Sequence, residues 1–158
     1  MAVLTWLEAS GFSTWVREGE TIWAFPTILT LHTFGMGLLV GTSAVIDLRL
    51  LGIGRRLPLA PMQPLFTVMW GGFWLNLATG SMLFAADATR LGVDPLYWTK
   101  LVFVAIGVAT IVLIRRIVFA VPADDPPASP SSPKALAALS LAVWIAAVTT
   151  GRLLAYVS

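Results

Sequence analysis

Four apolar stretches, each about as long as a lipid bilayer is thick, constrain this chain more than any motif does. A helix needs about 20 apolar residues to cross the hydrocarbon core. Stretches of that kind run over 22–46, 65–86, 98–121 and 135–157. In the first, Trp23 stands at the start as an interfacial anchor, and the apolar pattern continues to Ile53 as one long helix leaving the bilayer. The third is interrupted only by Arg115 and Arg116 near its end, and the fourth carries Arg152 near its end. Soluble domains carry about a quarter Asp, Glu, Lys and Arg. Here charged residues make up 11% and hydrophobic ones 58%, too little charge to face water on all sides. The expected fold is all-α, an integral membrane four-helix bundle forming one domain over residues 1–158.

Two segments depart from the spans. In residues 1–20, Trp6, Leu7, Phe12, Trp15 and Val16 alternate with polar residues, the pattern of a short helix lying in the membrane interface. Glu8, Arg17, Glu18 and Glu20 stand there without an early Lys or Arg, so no cleavable signal is expected. The second segment, PADDPPASPSSP over residues 122–133, reads as a flexible linker, because Pro and Ser do not sustain a helix. The chain has no cysteine, which removes disulfides, thiolate metal sites, iron–sulfur clusters and covalently attached haem. A net charge of +2 gives no footing for nucleic acid.

Basic residues set the expected orientation. Arg49, Arg55 and Arg56 follow the first span, and Arg115, Arg116 and Lys134 flank the last connection. Arg17, Arg90, Lys100 and Arg152 fall at the opposite side. The bias, with the acidic N-terminus, places both termini outside, on the periplasmic side of a bacterial inner membrane.

Polar groups inside a membrane are costly, so each is a candidate for function. His32, the only histidine, lies about ten residues into the first span, roughly 15 Å deep. Asn76 lies at similar depth in the second span, Lys100 near the outer end of the third, and Arg152 near the outer end of the fourth. Each span thus gives one polar group to the outer half of the bundle. Bland roles stand beside these. Lys100 and Arg152 can snorkel to headgroups, and Asn76 with Thr79, or His32, can hydrogen-bond between helices. Gly35, Gly37 and Gly41 suit close helix packing, with Gly37 and Gly41 at the small-residue spacing, or room for a flat cofactor. Asp47 and Arg49 read as a local charge pair, with a proton-path role for Asp47 second. Trp70, Trp74 and Trp144 read as packing.

An imidazole in a helix bundle is a common ligand of b-type haem. His32 is therefore the expected metal ligand of a haem b. Lys100 and Arg152 lie where cations would meet its propionates. With one histidine, a haem here takes a single imidazole, uses Lys100 or a Met such as Met36 as second ligand, or sits between chains.

The stretches FPTILTLHTFGMGLLVGTSAVIDLRLLG (Phe25–Gly52), WGGFWLNLATGSMLFAADATR (Trp70–Arg90), YWTKLVFVAIG (Tyr97–Gly107) and GRLLAY (Gly151–Tyr156) resemble an uncharacterised family of small bacterial inner-membrane proteins. The layout is more distantly similar to the haem-containing membrane protoporphyrinogen oxidase of the HemJ type and to copper-resistance D-like membrane domains. In that oxidase a His in the first helix and a Lys opening a later helix form the critical pair. His32 within LHTFGMGLLVG and Lys100 within WTKLVFV match them in kind, while the further histidines of the oxidase have no counterpart. The resemblance implies haem binding and leaves oxidase activity open.

The expected function is that of a small subunit of a larger membrane complex, or of a homo-oligomer, carrying a b-type haem for electron transfer. The alternatives are a stand-alone oxidoreductase of porphyrin or quinone type, and an oligomeric transporter or channel lined by His32, Asn76 and Lys100.

Overall fold

The computed structural model describes residues 2–21, 23–54, 56–119 and 132–157. Among these the chain is all-helical, with α1 (Ala2–Glu8), α2 (Gly11–Glu18), α3 (Phe25–Leu51), α4 (Leu65–Ala86), α5 (Ala88–Leu91), α6 (Pro95–Ile114) and α7 (Ser132–Val157). Three helical stretches, Phe25–Leu51, Pro95–Phe119 and Pro133–Tyr156, are long and apolar enough to cross a membrane. The fourth expected span, α4, has 22 residues and no charged side chain, but Asn76, the glycines and the tryptophans hold its mean hydropathy below that of those three.

Local chemistry sets the helix ends. Pro26 opens α3 in its first turn, where a missing N–H costs nothing. The helix runs to Leu51 and then stops at Gly52, whose φ of 106° takes the left-handed conformation. The Gly52 N–H donates to Arg49 O and the Ile53 N–H to Leu48 O, which satisfies carbonyls the helix end would leave unpaired. Asp94 caps α6 by accepting from the Leu96 N–H at 2.8 Å, and Pro95 follows it. The end of α6 loosens into a wide turn over Arg115–Phe119, which lets Phe119 meet Phe66 of α4 edge-on at 5.0 Å. Helix α7 begins at Ser132 with Pro133 in its first turn, earlier than the sequence pattern indicates. The rest of the expected linker, 122–131, lies outside the described residues.

The expected single interfacial helix is two short ones. Ser10 breaks the run, and its hydroxyl accepts from the Ser13 N–H to cap α2. Ser13 and Val16 are fully buried, with the Ser13 hydroxyl 2.9 Å from Ala85 O and Val16 packed with Ile28 and Ala86. Glu8 ends α1 by accepting from the Thr89 N–H at 2.9 Å and the Thr89 hydroxyl at 2.5 Å, with Arg17 alongside at 2.9 Å. The Thr89 hydroxyl, then the Thr89 N–H and Arg17, hold the Glu8 carboxyl below the usual carboxylate range. Val3, Trp6, Phe12 and Trp15 remain exposed on the other face.

The long helices pack in the order α4–α3–α7–α6, and α4 makes at most a marginal backbone contact with α6. Lipid tails are as apolar as Leu, so close packing rather than water exclusion holds membrane helices together. The closest approach is α3 on α4. A methyl group placed on Gly35 would stand 2.9 Å from Asn76 N and 3.0 Å from Gly72 O. Gly37 and Gly41, the pair at small-residue spacing, face outward with nothing within 4 Å; packing here uses Gly35 and Gly72 instead. Between α4 and α6 the half towards Phe66 and Ile114 is filled by side chains, with Phe66 and Met69 meeting Ile111, Ile114 and Phe119. The other half of the same gap, towards Asn76 and Lys100, is not filled.

Candidate functional site

The gap is a cavity of about 190 Å³. Helix α3 contributes His32 and Met36, α4 contributes Phe73, Asn76 and Phe84, α6 contributes Tyr97 and Lys100, and α7 contributes Trp144. Three of the four polar residues singled out in the sequence therefore meet. Arg152 does not join them. It is exposed, donates to the Tyr156 hydroxyl at 2.8 Å and stacks over that ring at 5.0 Å. The last turn of α7 carries both residues i and i+4 on one outward face, which sequence position alone could not show.

His32 is fixed at both ends of its residue. Asn76 Nδ2 donates to the His32 carbonyl at 2.9 Å, and His32 Nδ1 lies 3.0 Å from the Thr79 hydroxyl. The Thr79 proton points back at Leu75 O, 2.7 Å away, so its oxygen accepts and Nδ1 carries the hydrogen. In the neutral ring Nε2 then holds the free lone pair, with no protein partner among the described residues. Asn76 is oriented by the same reasoning: a carbonyl can only accept, so the amide NH₂ faces it and Oδ1 is left over. The Lys100 ammonium forms no hydrogen bond or ion pair among the described residues, and no Asp or Glu lines the cavity. The site thus presents two acceptors, one cationic donor and aromatic walls.

Glycines shape these walls, a feature the sequence reading missed. A methyl on Gly80 would stand 3.1 Å from His32 Cε1, one on Gly107 2.7 Å from the Trp144 ring, and one on Gly151 3.4 Å from Lys100 Cε. Gly80 follows Asn76 by one helical turn, the only sequence signal that it shares their face. Trp144 is 3% exposed with its Nε1–H unpartnered among the described residues, and it lines the cavity, so it is a cavity wall as well as packing. Phe84 and Tyr97 stack at 5.2 Å and bridge α4 to α6 at one end. Leu77 and Ser81 of α4 and Leu101 of α6 are the exposed lining residues. They place the mouth between α4 and α6, on the flank of the bundle.

The other intramembrane polar groups behave differently. Thr30, Thr33, Ser81 and Thr99 donate to carbonyls one turn back in their own helices, which satisfies each hydroxyl within its own helix. The expected pair of Asp47 with Arg49 does not form. Arg49 donates to Leu57 O at 2.6 Å, while Asp47 turns inward and is 1% exposed. Among the described residues no group of three or more His, Cys, Asp or Glu can hold a metal ion.

Comparison with protein-family models, with curated proteins and with solved structures finds no match to this chain. Its chemistry is read from its own residues.

A haem fits these residues in part. His32 offers Nε2, with Nδ1–H held by Thr79 as metal-binding imidazoles are usually held, and Lys100 is a cation for a propionate. The space does not fit: pockets for drug-sized ligands run from about 300 to 1,000 Å³, and this cavity has about 190 Å³. The backbone contact of Gly35 with Gly72 and the seat of Trp144 on Gly107 leave no slot for a tetrapyrrole.

Proposed function

We propose that this chain is a four-span protein of the bacterial inner membrane, with both termini on the periplasmic side. Its outer cavity binds the head of a membrane-dissolved quinone-type ligand, in electron transfer alongside other membrane subunits. One observation carries the reading. Among the described residues, a free imidazole acceptor, an unpaired ammonium and a free amide oxygen share a cavity whose mouth lies on the flank of the bundle between α4 and α6. A quinone carbonyl accepts from Lys100, a quinol hydroxyl donates to His32 Nε2 or Asn76 Oδ1, and the ring lies against Phe73, Phe84, Tyr97 and Trp144. A fatty acid suits the cavity less, because its carboxylate would pair with Lys100 and leave both acceptors facing an anion. The tail of a quinone leaves through the mouth between Leu77 and Leu101, so a cavity of head-group size suffices. The four-span reading rests on the length of α4, its lack of charge and its extensive packing on α3. The orientation rests on the basic residues after α3 and around the last connection.

The test is binding of a short-chain quinone and its quinol to the purified protein in lipid nanodiscs, read by quenching of tryptophan fluorescence. A hydrogen bond involving a charged partner contributes about 1.5–3 kcal/mol. Lys100→Met is therefore expected to weaken quinone binding by about tenfold to a hundredfold, and His32→Ala to weaken quinol binding more than quinone binding. The size of the cavity argues against haem b, and the free Nε2 is the one observation in its favour. A Soret band in protein from haem-replete cells, lost in His32→Ala, would establish haem and overturn the quinone assignment. Absence of both pigment and quinone binding would remove both.

A further inference from the structure

At the end of the bundle opposite the cavity the interior holds a carboxyl that the ligand site does not use. Asp47 follows Ser43 by one turn of α3, and Ser140 of α7 faces them. The three are 1%, 2% and 0% exposed. Ser43 Oγ lies 3.2 Å from Asp47 Oδ2 and 3.4 Å from Ser140 Oγ. The second carboxyl oxygen, Oδ1, is buried without a hydrogen-bond partner among the described residues.

The charges around it do not neutralise it. On its own helix, Arg49 reaches to Leu57 O. At the end of α6, Arg115 and Arg116 are exposed, and Lys134 on α7 is exposed. Helix α4 carries no charged residue. Among the described residues no ion pair reaches Asp47. An ionised carboxyl here would be a buried charge with an oxygen facing apolar side chains, one of the costliest arrangements in a protein. A neutral acid resolves it. The proton on Oδ2 is donated to Ser43 Oγ, the Ser43 proton to Ser140 Oγ, and Oδ1 becomes a carbonyl oxygen, the polar group most tolerant of lacking a partner. A metal cation is a poorer occupant, because the three side chains already touch through their oxygens and would have to be driven apart to surround it.

We propose that Asp47, with Ser43 and Ser140, is an exchangeable proton-binding site in the membrane interior. Its place in the fold gives it a use. His32, Met36, Val40, Ser43 and Asp47 follow one another at helical spacing along the inward face of α3, and Trp144, in the cavity wall, lies one turn beyond Ser140 on α7. A proton held at Asp47 is therefore in line with the cavity from the arginine-rich end of the bundle. The proposal does not rest on what the cavity binds.

Infrared spectroscopy of the protein in nanodiscs tests it. None of the other Asp or Glu residues falls within the long helices, so at neutral pH the protonated-carboxyl C=O stretch reports Asp47. Wild type is expected to show this band, Asp47→Asn to lack it, and transfer to D₂O to shift it within minutes. Ser140→Ala is expected to keep the band and raise its frequency, since the hydrogen-bonded chain is shortened. Where Asp47→Asn does not fold, the Ser140→Ala shift carries the identification, and a band it leaves unmoved overturns the assignment. Absence of the band in wild type shows an ionised Asp47 and overturns the site. A band that does not exchange over hours shows a sealed structural acid and overturns it equally. Quinone binding can fail with all of these results unchanged.

Discussion

Replacing Gly35 by Ala tests the packing that positions His32. The added methyl would meet Asn76 N at 2.9 Å, Gly72 O at 3.0 Å and Asn76 Cα at 3.2 Å, where ordinary contact begins at 3.4 Å. All three are backbone atoms of α4, so no rotamer change relieves the clash. The helices must part by roughly half an ångström, and such overpacking costs about 1–3 kcal/mol. The substitution recovers up to about 1 kcal/mol, because Ala is a better helix former than Gly. With the full recovery the net expectation is a loss of up to about 2 kcal/mol. On the same helix, Gly37→Ala meets nothing within 4 Å, so only the gain of up to about 1 kcal/mol remains. Opposite signs for two glycines two residues apart are the expected result, read by thermal or denaturant unfolding in one detergent. Gly35→Ala is also expected to weaken ligand binding, because Asn76 and Thr79 ride on the displaced helix. If Gly37→Ala proves as damaging as Gly35→Ala, the outward stripe is packed against something and the α3–α4 geometry described here is wrong.

Other expectations follow from the same contacts. Gly80→Ala places a methyl 3.1 Å from His32 Cε1; it should lower affinity for the cavity ligand while leaving the unfolding midpoint within a few degrees of wild type, and unchanged affinity would show that the ring has room to spare. Arg152→Ala should leave ligand affinity unchanged, because Arg152 points at Tyr156; a tenfold loss would place it in the site after all. The Glu8 contacts make the docking of α1 on α5 dependent on pH. Because the carboxyl is held below its usual range, its contribution is complete above the ordinary carboxylate pKa and disappears as pH falls through the lowered value. Hydrogen exchange at the Thr89 amide should accelerate over that acidic window in wild type and be fast throughout in Glu8→Gln, and an identical pH profile in the two would assign the effect to another group.

The helices were legible in the sequence because apolar length alone decides them: the ends of α4 match the apolar run at 65–86, while α3 ends at Leu51, short of Ile53 where its apolar pattern ends, because Gly52 stops it. Other boundaries were less legible. The N-terminal helix is split by a cap at Ser10, since a hydroxyl that satisfies a backbone N–H three residues on competes with continuing the helix. The start of α7 lies inside the Pro/Ser run because Pro is tolerated in a first turn.

The site was legible as a set of residue types, and only partly as a place. His32, Asn76 and Lys100 stood out because polar groups in lipid need a reason. Arg152 stood out for the same reason and belongs elsewhere, since sequence position gives depth along a helix axis and not the direction in which a side chain faces. The glycine pair at the familiar spacing misled for that reason too: Gly37 and Gly41 look outward, while Gly35 meets Gly72. The sequence by itself determined an all-helical chain too apolar to coat itself with charge, and it supplied an imidazole and an amide at similar depth and a lysine nearer the end of its helix. Only the tertiary structure decided that α4 and α6 stand apart, that the gap is filled at one end by Phe66 and Phe119 and left as a cavity at the other, and that Asp47 turns inward to two serines rather than to Arg49. The reason is physical. Depth follows from counting residues along a helix, whereas facing follows from the phase at which two helices meet, and a few backbone contacts between glycines set that phase.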